Sequence, residues 1–212
     1  MDAPTYWNGP GAGKRFTTPV PTDLLTNQLS PDARILDYGC GYGRALAELA
    51  GAGFTRLTGL DMSAGLIEHG RAEFPDLDLR VTGPGDIPFP DASFDAALLL
   101  AVLTCVRDDA GQGALLAELA RALTPGGRLL VNDFLLGTDE RSTTRYARFA
   151  ERFGTYGVFE LPDGGVMRHH DPADLRRRIS EHFEVEDWRE ETFTTMNGNP
   201  ARGVTALCRK TG

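Results

Sequence analysis

The sequence predicts an α/β fold: a doubly wound, mostly parallel seven-stranded sheet with helices on both faces and a C-terminal antiparallel hairpin. Three observations predict it. From Arg34 to Asn132 short apolar runs alternate with segments of helical period, which is the signature of βαβ units. The first apolar run, Ile35-Leu36, empties into a bend with glycine at 39, 41 and 43. The last two runs, Phe183 to Thr195 and Ala201 to Arg209, flank Asn197-Gly198-Asn199-Pro200, a composition that turns a hairpin.

In chain order, residues 1–21 are rich in Gly, Pro and aromatics without a regular period and are expected to form an arm or lid. Residues 22–212 form the domain. Thr22 to Leu29 reads as a short helix, Arg44 to Ala50 as a helix with Leu46 and Leu49 facing inward, and Leu57 to Leu60 as the second strand. Ser63 is placed to N-cap a helix through Arg71. Leu77 to Val81 is a third strand. Phe94 to Leu100 is a fourth, almost wholly apolar, as a strand covered on both faces should be. A helix over Ala114 to Leu123 stops at Thr124-Pro125-Gly126-Gly127, ahead of a fifth strand, Arg128 to Asn132. Residues 137–170 break the alternation: Arg141 to Phe153 looks helical, and a glycine-rich stretch follows, Gly154 to Gly165. This insertion is expected to cover the sheet edge. Asp171-Pro172 starts another helix.

The composition bounds the function. Over 212 residues, 41% are apolar and 25% charged, values of an ordinary globular chain. No apolar run approaches the roughly 18 residues of a membrane span, and the N-terminus lacks a basic head followed by an apolar stretch. A cytoplasmic protein, monomeric or homodimeric, is expected. Cys40, Cys105 and Cys208 are too far apart for a metal-ligand spacing or a disulfide framework. The net charge of −8 argues against a nucleic-acid partner, which is gripped largely by cationic side chains.

The segment ILDYGCGYGR, Ile35 to Arg44, carries the first chemistry. Glycine leaves no side chain between ligand and backbone, and the bend leads into a helix N-terminus with unpaired amides. Its spacing is G-x-G-x-G, not the G-x-G-x-x-G of dinucleotide sites. Asp61 closes the second strand, where a carboxylate can accept both hydroxyls of a ribose, each bond contributing roughly 1.5–3 kcal/mol.

With IPFPDASFDAALL (Ile87 to Leu99) and RALTPGGRLLV (Arg121 to Val131) in the same order, the chain resembles the class I S-adenosylmethionine-dependent methyltransferases. Within them it is similar to the small-molecule group that includes ubiquinone and menaquinone enzymes. The resemblance implies S-adenosylmethionine as cofactor, S-adenosylhomocysteine as product, and a small-molecule substrate methylated on O, N or C. It implies that Asp37 orders the glycine bend and faces the methionine amino group, and that Gly39, Cys40 and Gly41 lie along methionine and ribose. It implies Met62 against the adenine and backbone near Ala101 beside the amino group. One departure stands out: the family's acidic residue before its Leu-Pro-Phe is Gly83 here, with Asp86 displaced by three positions. Either Asp86 meets the adenine amino group, or backbone of Gly85 to Ile87 reads it.

Methyl transfer requires a nucleophile about 3–3.5 Å behind the methyl carbon, with water excluded. The nucleobase-amine motif and the acid of metal-dependent catechol enzymes are both missing from Ala101 to Cys105, and Asp133 has no obvious carboxylate partner. A metal-independent reaction is expected. His169 and His170 are the candidates for a general base, with loop packing as the alternative role. Tyr6, Trp7, Lys14 and Phe16 of the arm, with Tyr156 and Phe159 of the insertion, are expected to wall the substrate, or to pack the arm against the domain. An RNA or protein methyltransferase and a non-catalytic binding module are the competing functions.

Overall fold

The computed structural model describes residues 2–212. Its strands β1 (Arg34–Tyr38), β2 (Arg56–Asp61), β3 (Asp78–Val81), β4 (Phe94–Leu100) and β5 (Leu123–Phe134) are parallel. The hairpin strands β8 (Phe183–Thr194) and β9 (Pro200–Lys210) join antiparallel at the β5 edge, giving the order β3-β2-β1-β4-β5-β9-β8. The order reverses direction at β1 and β4, so the loops after these two strands diverge and open a crevice.

Strand side chains alternate between two cores. Leu36, Ala97, Leu99 and Val131 join one cluster with helices α5 (Asp109–Ala122) and α7 (Pro172–Ile179). Ile35, Ala96, Leu98 and Leu130 join the other with α2 (Thr22–Thr26), α3 (Arg44–Gly51) and α4 (Ala64–Glu73). Residues 96–99 are all fully buried, which explains the unbroken apolar run of β4.

Several elements differ from the sequence reading. Residues 3–7 form a short helix, α1, whose first turn is capped by Asp2 accepting from the Thr5 amide at 2.9 Å. Helix α5 starts five residues earlier than predicted, capped by Asp108. Gly111 and Gly113 mask that start because glycine is a poor helix former; a Cβ at Gly111 would come within 2.9 Å of Val106. The Thr124 to Gly127 turn is a register shift inside β5: Leu123 already pairs with Phe94 before Arg128 pairs with Ala96.

The insertion holds α6 (Glu140–Phe153), ended by Gly154 in the left-handed region, then a two-stranded ribbon, β6 (Val158–Glu160) with β7 (Val166–Arg168). The glycine-rich stretch is therefore partly strand. Tyr6 of α1, Tyr146 of α6, and Phe159 and Met167 of the ribbon form a third buried cluster. It joins the arm to the insertion.

Candidate functional site

The glycine bend after β1 is held from two sides. The amides of Gly39 and Cys40 both donate to the Leu60 carbonyl, at 2.7 and 3.0 Å. The Asp61 carboxylate accepts the Gly41 amide at 2.8 Å on one oxygen and the Ser63 amide at 2.8 Å on the other. Ser63 caps α4 through the Leu66 amide and donates its hydroxyl to the Trp7 carbonyl. One carboxylate thus ties together the bend, the end of β2 and the start of α4.

Asp37 and Asp61 border the same cleft. Burial pushes the Asp37 carboxyl up to about 7, the Asp61 charge adds to this, and Arg44 opposes it. Burial raises Asp61 as well, against the amides of Ser63, Gly41 and Met62. Two desolvated carboxylates that repel one another suit a cationic guest with hydroxyls to donate.

Gly39, Cys40, Met62 and Ala101 also line the cleft. Ala101 has φ +56, unusual for a residue with a side chain, and its amide donates to Asn132 at 2.6 Å. Such strain concentrates at ligand sites. Gly41 is different, because the Phe16 ring covers it: a Cβ there would lie 2.0 Å from that ring.

Gly85, Asp86 and Ile87 do not line the cleft. Asp86 is exposed, Ile87 is a core side chain, and the Gly85 amide donates to the Tyr38 hydroxyl at 2.6 Å.

From the arm, Trp7, Lys14 and Phe16 line the cleft, and from the insertion Phe159 does. Lys14 is tied to Asp163 at 2.7 Å. Tyr6 is a correction. It is 1% exposed in the third cluster, with its hydroxyl 3.2 Å from Asp163, so it anchors the arm. Tyr156, 52% exposed and packed edge-on against Tyr146, is also outside the wall.

The two histidines separate. His169 lines the cleft, stacked on Phe134 and met edge-on by Phe159. Burial, reinforced by the charge of Arg145, holds its pKa down to about 3, so it is neutral. His170 does not line the cleft. It is 2% exposed, and its Nε2 is 3.6 Å from the buried Asp133. That corrects its candidacy as a base: extended backbone sends neighbouring side chains to opposite sides.

Sequence reasoning missed three contributors. The β8–β9 turn brings Thr195, Met196 and Asn197 to the cleft. Arg44 lines it while donating to the Thr18 carbonyl at 2.5 Å. Arg141 and Arg145 of α6 line its insertion end; their spacing along one helix face was the available signal. Cys105 also borders the cleft, but burial pushes its thiol up to about 12, so it carries no thiolate.

Comparison with known proteins decides the family. The sequence profile of the methyltransferase domain matches residues 36–131, which run from β1 through most of β5. The chain is 33% identical over 198 residues to an O-methyltransferase of Penicillium expansum, covering 87% of this chain and 67% of that protein. It is 34% identical over 189 residues to a demethylmenaquinone methyltransferase of Mycolicibacterium vanbaalenii, covering 85% and 77%. This chain belongs to the methyltransferase family. The methyltransferase also superposes on the crystal structure of an S-adenosylmethionine-dependent methyltransferase from Methanosarcina mazei with a TM-score of 0.83 and 26% identity, covering 88% of this chain and 96% of that one.

The methyltransferase uses S-adenosylmethionine as its cofactor, and its cleft fits that molecule. The glycine bend has no room for side chains of its own: a Cβ on Gly39 would lie 2.5 Å from Val102. The paired carboxylates match a sulfonium-bearing nucleoside with an ammonium group. Among the described residues of the methyltransferase, no helix is long and apolar enough to cross a membrane.

Proposed function

We propose that this enzyme methylates an oxygen, nitrogen or carbon of a small metabolite by metal-independent in-line displacement, within the single cleft bounded by the glycine bend, the arm and the insertion. The observation that carries this reading is the Asp61 carboxylate, which holds the bend through Gly41 and borders the same cleft as His169 and Phe159.

Asp61 accepts the ribose hydroxyls, Asp37 faces the ammonium group, and backbone at Gly39, Cys40 and Ala101 lies along the methionine chain. Met62 packs on the adenine. When bound, the cofactor supplies an electrophilic methyl on a good leaving group. What this chain adds is position and dryness. Residues 2–21 act as a lid: Trp7 and Phe16 roof the cleft, the Lys14–Asp163 pair ties them to the insertion, and Thr17 donates to the Thr194 carbonyl at 2.6 Å.

His169 orients the substrate instead of taking its proton. The Tyr146 hydroxyl is fully buried, accepts the Gly137 amide at 3.2 Å, and lies 2.7 Å from His169 Nδ1. A buried hydroxyl gives its proton to an acceptor, and Nδ1 is the one in reach. The neutral ring therefore carries its own proton on Nε2, a donor for a substrate oxygen.

A roofed cleft favours small molecules over RNA or folded protein. Methyl-labelled S-adenosylmethionine incubated with the enzyme and pools of small phenols, acids and amines tests this. Label in an extractable small product supports the reading, and label confined to RNA or protein contradicts it.

A further inference from the structure

We infer that the insertion end of the cleft is a subsite for an anionic oxygen of the substrate, a carboxylate or the ionised oxygen of an acidic phenol or enol, with Arg145 as its charge partner. This rests on the reading of the cleft as holding cofactor and small substrate together.

Arg145, half-buried, stands apart from the two buried arginines. Arg168 and Arg178, 6% and 4% exposed, share the Asp109 carboxylate at 2.6 and 2.9 Å. Arg145 forms no ion pair among the described residues, and its Nε and Nη2 are buried without a hydrogen-bond partner. What it has is an aromatic bed: its guanidinium carbon lies 3.5 Å from the centre of the Phe159 ring and 5.3 Å from that of Tyr146. Stacking holds the planar head but leaves its donors unused. A guanidinium cannot shed its charge in a protein, so a partly desolvated and unpaired one awaits a partner.

The surroundings favour an anion. Arg141, Arg145, Arg148 and Arg152 follow one another by four, three and four positions along one face of α6. Of these, only Arg152 is paired, with Glu160. In a chain of net charge −8, a cationic stripe running to the cleft mouth draws in acidic small molecules. His169 is in the same lining, and with the tautomer argued above its Nε2–H adds a second donor. The cleft is therefore acidic at Asp37 and Asp61 and basic at Arg145, two ends for two ligands of opposite character.

The test is calorimetric titration of the enzyme saturated with S-adenosylhomocysteine, using 2-hydroxybenzoate and its neutral amide as probes. The wild type should bind the acid at least tenfold more tightly than the amide. Arg145→Met should reduce that preference to about twofold or less, Arg145→Lys should retain part of it, and Arg148→Met should keep it whole. Equal binding of acid and amide, no binding of either, or a preference that survives Arg145→Met would overturn the inference. S-adenosylhomocysteine affinity should be the same in the wild type and Arg145→Met. Its loss in the variant alone would assign Arg145 to the cofactor's carboxylate and also overturn it. Failure of the wild type to bind S-adenosylhomocysteine would instead overturn the underlying reading of the cleft.

Discussion

The Tyr146 hydroxyl lies 2.7 Å from Nδ1 of His169, a contact that bears on the tautomer of the one histidine in the cleft lining. With the tyrosine proton on Nδ1 and the ring pKa held to about 3 by burial, His169 stays neutral across the working range of most enzymes. The kcat profile should therefore show no limb near pH 6.5 that disappears in His169→Gln. Glutamine keeps a side-chain donor, so that variant should hold kcat within about tenfold, whereas His169→Ala should lose roughly 10–100-fold. Equal and severe losses in both variants would restore the general base.

Asp37 links cofactor binding to protons. A carboxyl raised to about 7 in the folded protein, against 3.8 ordinarily, contributes stability that is full below about pH 3.8. That contribution is lost as pH rises through about 7. The ligand-free wild type should thus be less stable than Asp37→Asn at pH 8, by roughly 1–4 kcal/mol, and the gap should close by pH 4. An ammonium group beside Asp37 favours its ionised form, so S-adenosylhomocysteine binding at pH 6 should release a proton that the variant does not release. Calorimetry in buffers of different ionisation enthalpy reads this directly, and identical proton counts for the two proteins would contradict it.

Phe16 and Gly41 form a lock between arm and bend. A side chain at Gly41 meets both a left-handed φ of +56 and the Phe16 ring. Gly41→Ala should cost about 1–3 kcal/mol in chemical denaturation. Phe16→Ala in the same chain should recover the steric part and leave the strain, a non-additive pair. Strict additivity would mean that the ring does not rest on the bend.

The sheet and the acidic end of the cleft were legible in the sequence because their signals are local. Ile35 to Gly43 is strand and bend in one continuous segment, and Asp61 terminates the next strand in register with it. The insertion end was not legible, because its side chains meet only through the third dimension. His169 and His170 are equivalent on paper, yet alternation along the backbone gives the first to the cleft and the second to Asp133. Tyr6 and Trp7 divide in the same way, one into the arm's core and one onto the cleft. Asp86 is exposed and lies outside the cleft lining. Arg145 gave a helical spacing and nothing more; its lack of a partner became visible only once Phe159 was folded beneath it.

The most direct check of the whole account is the affinity of S-adenosylhomocysteine for the wild type and for Asp61→Ala, measured side by side by calorimetry. If the ribose hydroxyls rest on that carboxylate, the variant should bind at least tenfold more weakly, a loss of about 1.4 kcal/mol or more. Equal affinities would place the nucleoside elsewhere and contradict the site described above.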